Sequence, residues 1–178
     1  MQNELLIPVS PDDHHKGDLN ASLVLVEYGD FQCPTCSSMY PNVERALRYF
    51  DKELAFVFRH FPLMSIHPNA LDAAVLSELA AEKGIFWKAY DKLFHRNTVF
   101  DKLELCDIAL SLGIDEQYFK DSIKGGKQVV KILKSIEDGI NSNVNGSPNF
   151  FLNGRKLVVP YGTDIIKSIN NEINISKT

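Results

Sequence analysis

The chain has 178 residues, enough for a single domain with a buried core. Hydrophobic residues make up 44% and charged residues 24%, which is ordinary for a globular protein. The net charge of −4 argues against nucleic-acid binding, and no apolar run approaches the ~20 residues of a membrane helix.

The first twenty residues predict an arm without periodicity. Pro8 and Gly17 favour turns, and the charged run 12–16 predicts a solvated surface. The start of the chain, 1–4, lacks the positive charge of a signal peptide, and three cysteines are too few for a secreted disulfide scaffold. We therefore expect a cytoplasmic protein. The alternative is a periplasmic protein whose signal has been removed.

A strand, a helix and a second strand follow the arm. The apolar run 22–28 alternates little, as in a strand covered on both faces. Residues 34–50 carry apolar side chains at helical spacing, and 55–58 is a second strand. This order predicts a right-handed βαβ unit with parallel strands.

The pattern is helical from Ser65 to about Asn143, and strand signals return at 150–152 and 156–159. Asn-Gly between these two runs predicts a hairpin, and a last helix is expected after Thr163 as its N-cap. The chain therefore predicts an α/β domain interrupted by helices. Its expected boundaries are an arm 1–20, one domain 21–178, a core 21–62 and 145–175, and an insertion 63–144.

A Cys-Pro-Thr-Cys motif stands where the first strand gives way to the helix. Cys33 and Cys36 would face the same side of the first turn, within reach of a disulfide. Pro34 suits the first helical position, which places the Cys33 sulfur at the positive end of the helix dipole. We expect a redox-active pair in which Cys33 is a thiolate at pH 7 and Cys36 a thiol.

Two other interpretations of this pair are an inert buried pair and half of a zinc site. Zinc needs about four ligands, and the sequence has no second Cys-x-x-Cys motif. His14, His15 and Cys106 are too scattered along the chain to complete a site. We therefore expect neither a metal nor an organic cofactor.

From about His14 to Ile173 the chain resembles the DsbA-like thiol–disulfide oxidoreductases of the thioredoxin superfamily, and most of all their small stand-alone bacterial members. The stretches that carry the resemblance are 26–36, 58–63, 66–68 and 144–154. It implies a thioredoxin fold with a helical insertion between its βαβ and ββα halves.

The resemblance also implies functions for individual residues. Cys33 would be the attacking thiolate and Cys36 the resolving thiol. The bond between Ser147 and Pro148 would be cis, packed against the cysteine pair, with its backbone pairing with bound substrate. The implied substrate-binding residues are Pro34, Thr35, Ser147 and Pro148.

Glu27, six residues before Cys33, matches the buried acid that moves a proton to or from the second cysteine in thioredoxin relatives. A carboxyl group buried in a sheet should have a raised pKa, which suits proton transfer. The alternative is an ordinary solvent-facing strand residue.

Two positions depart from the best-known periplasmic oxidase. Thr35 stands where that enzyme has a histidine, and Ser147 stands where relatives more often carry threonine or valine. The missing cation should stabilise the reduced form less. We therefore expect a milder redox couple, nearer a reductase or isomerase.

These features predict an enzyme that exchanges disulfides with protein or peptide thiols, regenerated by an unidentified redox partner. The alternatives are a binding or chaperone module, and a glutathione-linked transferase or isomerase. His60 and His67 are expected to cap or to hydrogen-bond within the core. Cys106 is expected to be a buried, inert thiol on the face formed by Leu103 and Leu110.

Overall fold

A five-stranded sheet lies at the centre of the computed structural model, which describes residues 4–95, 100–160 and 162–175. The strands are β1 (His14–Lys16), β2 (Leu23–Gly29), β3 (Leu54–His60), β4 (Asn149–Leu152) and β5 (Arg155–Leu157). Their order across the sheet is β1–β3–β2–β4–β5. The central pair, β2 and β3, is parallel, and the other neighbours are antiparallel.

Helices cover the sheet and form an insertion between β3 and β4. They are α1 (Pro34–Phe50), α2 (Ala70–Glu82), α3 (Phe86–Phe94), α4 (Lys102–Ser111), α5 (Glu116–Ile123), α6 (Lys127–Asn141) and α7 (Ile165–Ile175). The helix α1 joins the parallel strands β2 and β3, and α2 to α6 follow before the chain returns to the sheet. The fold is the predicted thioredoxin fold with a helical insertion.

The central strands are buried because helices and loops pack on both faces of the sheet. Every residue of β3 is buried, and so is every residue of β2 except Val24. Side chains alternate between the two faces, so Leu25 packs in the larger apolar cluster with Cys33 and Cys36, whereas Val26 and Tyr28 pack in a smaller one. The face of the sheet that carries Leu25 therefore also carries the cysteine pair.

The predicted arm differs from the structure. His14–Lys16 forms β1, which pairs antiparallel with β3. The carboxylate of Asp13 accepts hydrogen bonds of 2.8 Å and 2.9 Å from the buried guanidinium of Arg59, so the charged run 12–16 is not a solvated surface. A buried cation needs a counter-charge, and this need draws the arm onto the sheet.

Several element ends also differ from prediction. β3 runs two residues beyond Phe58, and β5 ends at Leu157. The last helix begins at Ile165, where the Asp164 side chain accepts a hydrogen bond from the N–H of Ile166, so Thr163 is not its N-cap. Of the predicted domain, residues 96–99, 161 and 176–178 lie outside the described residues.

Cys106 is buried, as expected, but the predicted apolar face around it is wrong. Leu103 is 76% exposed and Leu110 is 56% exposed. The buried face of α4 is instead formed by Leu105, Cys106, Ile108 and Ala109.

Candidate active site

The N-terminus of α1 positions the first cysteine. Cys33 is the N-cap, with φ −75° and ψ 120°, and Pro34 begins the helix. The N–H of Cys33 donates to the Asp30 carbonyl at 3.1 Å, and its carbonyl accepts from the N–H of Ser37 at 3.0 Å. Proline is tolerated here because the first helical N–H has no partner within the helix. The sulfur therefore lies beside the free N–H groups of the first turn.

The pKa of the Cys33 thiol is lowered from 9.0 to about 5. The hydrogen bond from the Cys36 thiol is the largest favourable cause. The side chain of Ser147 and the backbone N–H groups of Cys36 and Thr35 add to it, while burial opposes them. A thiol with this pKa is ~99% thiolate at pH 7.

Cys36 has the opposite environment. It is fully buried, and burial raises the pKa of its thiol well above the usual value, helped by its hydrogen bond to Cys33 and by the charge of Glu27. The N–H of Asp30 donates to its sulfur at 3.5 Å. Cys36 therefore keeps its proton at neutral pH and shares it with the Cys33 sulfur.

Ser147 and Pro148 approach the cysteine pair from the start of β4. The peptide bond between them is cis. The Cys33 Sγ lies 3.3 Å from the carbonyl oxygen of Ser147, to which it donates when protonated. The Ser147 hydroxyl is buried and has no hydrogen-bond partner among the described residues, so it is free to donate to the Cys33 sulfur when that sulfur is a thiolate.

A cavity of about 320 Å³ opens beside this loop. Thr35, Ser147 and Pro148 line it together with apolar side chains such as Met39 and Val159. Three of the four predicted substrate-binding residues thus share one surface, and Pro34 lies next to it at the start of α1.

Glu27 lies inside the sheet and is only 1% exposed, so the solvent-facing alternative is wrong. Its Oε1 has no hydrogen-bond partner among the described residues. Burial raises the pKa of this carboxyl group from 4.5 to about 8, and the charge of Cys33 contributes. Gly29 leaves the space for it, because a Cβ there would lie 3.1 Å from Oε1 and 2.4 Å from the Phe58 ring.

Sequence reasoning missed Asp30, a buried residue that organises the loop before Cys33. Its Oδ1 accepts from the N–H of Gln32 at 2.7 Å, and its Oδ2 accepts from the N–H of Leu63 at 2.9 Å. His67 Nδ1 lies 2.6 Å from the same Oδ2. The shared motif around His67 was the available signal, since a histidine that hydrogen-bonds within the core needs a buried acceptor.

The remaining candidates lie in other parts of the fold. Cys106 is in the insertion, where burial raises the pKa of its thiol. His60 hydrogen-bonds within the core, with its Nε2 3.0 Å from Oε1 of Glu78. His14 was set aside as scattered along the chain, but the fold brings it to the same oxygen at 2.7 Å.

Comparison with known proteins agrees with this geometry. A family described as thioredoxin matches residues 9–169. The chain belongs to the thioredoxin family. Among solved structures, alpha-DsbA1 from Wolbachia pipientis superposes with a TM-score of 0.72 at 25% identity, covering 98% of this chain and 95% of that protein. The predicted DsbA-like membership is therefore confirmed.

A second solved structure shows the fold alone. A periplasmic thioredoxin-like protein from Salmonella enterica serovar Typhimurium has a TM-score of 0.70 at 16% identity, covering 93% of this chain and 92% of that one. No comparison supports the predicted cytoplasmic location of this chain, which stays a prediction.

The curated relatives are much longer than this chain. The Na(+)/H(+) antiporter NhaA 1 of Mycolicibacterium vanbaalenii is 38% identical over 161 residues, which are 89% of this chain and 26% of the relative. The chain thus spans about a quarter of the length of the curated relatives it matches. The name antiporter describes those whole proteins. Within the described ranges, no helix has both the length and the apolar character needed to cross a membrane.

Proposed function

We propose that this thioredoxin-family protein exchanges disulfides with protein or peptide substrates, with Cys33 as the nucleophile and Cys36 as the resolving thiol. The observation that supports this most directly is the opposite ionisation of the two neighbouring sulfurs. The pKa of Cys33 is about 5, whereas that of Cys36 is well above its usual value. One sulfur is ready to attack, and the other holds a proton until it is needed.

The exchange has two steps. The Cys33 thiolate attacks a substrate disulfide, so a mixed disulfide forms and one substrate sulfur leaves as a thiolate. Cys36 then loses its proton and attacks the Cys33 sulfur, which releases the second substrate sulfur. The products are a Cys33–Cys36 disulfide and a reduced substrate, and the reverse sequence oxidises a dithiol.

Glu27 is the proposed acceptor for the Cys36 proton. Its carboxyl group is buried near both cysteines, and part of its raised pKa comes from the charge of Cys33. That charge disappears when the mixed disulfide forms. Glu27 then releases its own proton more readily and becomes a base at the moment when Cys36 must ionise.

Separate rates test this relay. In stopped-flow experiments, Glu27→Gln should slow resolution of the mixed disulfide more than the first attack by Cys33. Equal slowing of both steps would contradict the relay and leave Glu27 as a packing residue.

The cavity beside the cis bond is the proposed substrate surface. Polar backbone at Ser147 and apolar walls around Met39 and Val159 suit an extended peptide that carries an apolar side chain near its cysteine. We therefore propose protein or peptide disulfides as substrates. The partner that regenerates the pair is unidentified.

The predicted preference for reduction or isomerisation has no support in the relatives. Stabilising the Cys33 thiolate stabilises the reduced form and makes the disulfide more oxidising. A pKa of about 5 lies between the values of ~7 for thioredoxin and ~3.5 for DsbA. We propose a reduction potential between their values of ~−270 and ~−120 mV, to be measured in glutathione buffers.

Activity assays in both directions test the function itself. The protein should reduce insulin with dithiothreitol or oxidise a reduced substrate, and Cys33→Ser should abolish both activities. Cys106→Ser is the matched control and should remain active. An inactive wild type would favour a binding module, and glutathione conjugation that survives Cys36→Ser would favour a transferase.

A further inference from the structure

A second buried cluster joins three elements that are distant in sequence. His14 comes from β1, His60 from β3 and Glu78 from α2. Both imidazole Nε2 atoms approach Glu78 Oε1, at 2.7 Å and 3.0 Å. The potential ligand atoms of the three side chains all lie within 4.8 Å of one another. Two histidines and one carboxylate are a common ligand set for zinc.

We propose that His14, His60 and Glu78 bind one Zn²⁺ ion, which fastens β1 to β3 and to α2. Zinc holds nitrogen and oxygen ligands at ~2.0–2.2 Å, so three atoms this close need only small side-chain shifts to surround it. Three protein ligands leave a fourth position for water. This site is independent of the proposed disulfide exchange.

The histidine rings are already held in place by packing. The His14 ring stacks on Phe86, with centroids 3.6 Å apart and planes 5° apart. The His60 ring contacts the edges or faces of Phe31 and Phe58, with centroids 6.0 Å and 5.5 Å away. Rings fixed by packing lose little freedom when they bind a metal, which favours affinity.

The ring nitrogens that face Glu78 are the ones that would bind the metal ion. Both Nε2 atoms lie at hydrogen-bond distance from Glu78 Oε1, so a ring that donates from Nε2 has its lone pair on Nδ1. Zinc binding requires the proton to leave Nε2, because a neutral imidazole nitrogen with a free lone pair and a carboxylate are the forms that bind zinc.

The cluster attracts a positive charge in the structure. The Lys131 ammonium lies 2.8 Å from Glu78 Oε2 and 3.3 Å from His14 Nε2. Its side chain is 52% exposed, so it can turn into solvent when a metal ion takes its place. Lys131 is therefore the expected competitor of the metal.

Solvent reaches the cluster from two directions. Cavities of about 620 Å³ and 280 Å³ both reach His14, Glu78 and Lys131. Asp12 lines both cavities and adds negative charge along the way, whereas Asp13, which also lines both, is already paired with Arg59. A hydrated cation thus has a route to the ligands, and the cavities leave room for its remaining water.

Zinc titration of Cys33→Ser/Cys36→Ser protein tests the proposal, because the cysteine pair could itself bind zinc. Calorimetry should show one Zn²⁺ per chain. His14→Ala and Glu78→Ala should each weaken binding by about 100-fold or more. The matched control is His15→Ala at the next residue of β1, where the ring Nδ1 lies 3.1 Å from the Gly17 carbonyl oxygen. This control should bind zinc normally.

Lys131→Met distinguishes a metal site from a purely structural ion-pair network, even if the histidine variants fold poorly. Removing the competing ammonium should strengthen zinc binding by about 10-fold. Absence of zinc binding by the Cys33→Ser/Cys36→Ser protein at millimolar zinc would overturn the proposal. Equal binding by His14→Ala and His15→Ala, or weaker binding by Lys131→Met, would overturn it as well.

Discussion

Glu27 and Glu78 are buried to nearly the same extent, with 1% and 3% of their surface exposed. The pKa values of the two carboxyl groups are nevertheless shifted in opposite directions. The Oε1 atom of Glu27 has no partner among the described residues, and the pKa of its carboxyl group rises to about 8. The carboxylate of Glu78 contacts two histidines and Lys131, and its pKa stays well below the usual range.

The difference shows that partners, not depth, decide what a buried carboxyl group can do. A group such as Glu27, whose Oε1 has no partner among the described residues, holds a proton near neutral pH, and its pKa responds to changes in nearby charge. A group surrounded by donors, such as Glu78, remains an anion and is suited to holding cations. One fold thus contains a buried carboxyl group that is protonated near neutral pH, the proposed proton carrier beside the cysteines, and a fixed anion near its N-terminal strand.

The largest expected effect concerns Glu27→Gln. The native carboxyl group keeps its proton up to pH about 8, whereas the group in the unfolded chain loses its proton near pH 4.5. Between these values the unfolded chain is ionised and the native group is not, so the free energy of unfolding of the wild type falls as the pH rises. Gln cannot ionise, so at ~1.4 kcal/mol per pH unit the free energy of unfolding of Glu27→Gln should rise by roughly 4 kcal/mol relative to wild type between pH 4.5 and 8. Urea unfolding of both reduced proteins measures this gain, and parallel pH profiles would contradict it.

Glu78→Gln should lower the free energy of unfolding, by somewhat less than Glu27→Gln raises it. Its lowered pKa stabilises the native state fully above pH 4.5, and this contribution is lost as the pH falls further. Breaking a buried ion pair costs ~3–5 kcal/mol. The half-exposed Lys131 can remain hydrated after the carboxylate is removed, so we expect the free energy of unfolding to fall by about 3 kcal/mol at pH 7. Denaturation at pH 7 and pH 3 tests this, since the deficit should shrink in acid.

Local patterns in the sequence were enough to predict much of the fold and the cysteine pair. The buried strand 22–28, the helix after it and the Asn153–Gly154 turn each depend on neighbouring residues, and they lie close to where they were expected. The positions of Cys33 and Cys36 follow from the same local rules. Glu27 was ambiguous from its neighbours alone, and only the family resemblance favoured a buried acid.

Long-range pairs could not be predicted in this way. Asp13 meets Arg59 across 46 residues, and His14 meets Glu78 across 64 residues. The strand β1 has only three residues, too few to show a period. The sequence of the charged arm therefore looked like that of a solvated segment. Its partners in the structure are the buried guanidinium of Arg59 and the buried carboxylate of Glu78.

Asp30 offers an intermediate case, because backbone N–H groups are among its partners. Asp30→Asn keeps the size of the side chain but turns an acceptor into a donor facing the N–H of Leu63 or Gln32. Leaving such buried donors unsatisfied should cost about 2 kcal/mol in urea unfolding. Asp121→Asn, at an exposed carboxylate, should leave stability unchanged. Equal effects of the two substitutions would show that the loop before Cys33 does not depend on Asp30.

The smallest expected effect tests whether a single donor changes the chemistry of Cys33. The buried Ser147 hydroxyl is one of the groups that lower the pKa of this thiol. A net hydrogen bond contributes ~0.5–1.5 kcal/mol, so Ser147→Ala should raise the pKa of Cys33 from about 5 by roughly half a unit to one unit. The pH dependence of iodoacetamide alkylation measures this change, and Ser147→Thr, which retains a hydroxyl, is the control. An unchanged midpoint in Ser147→Ala would mean that the first turn of α1 and Cys36 alone hold the thiolate.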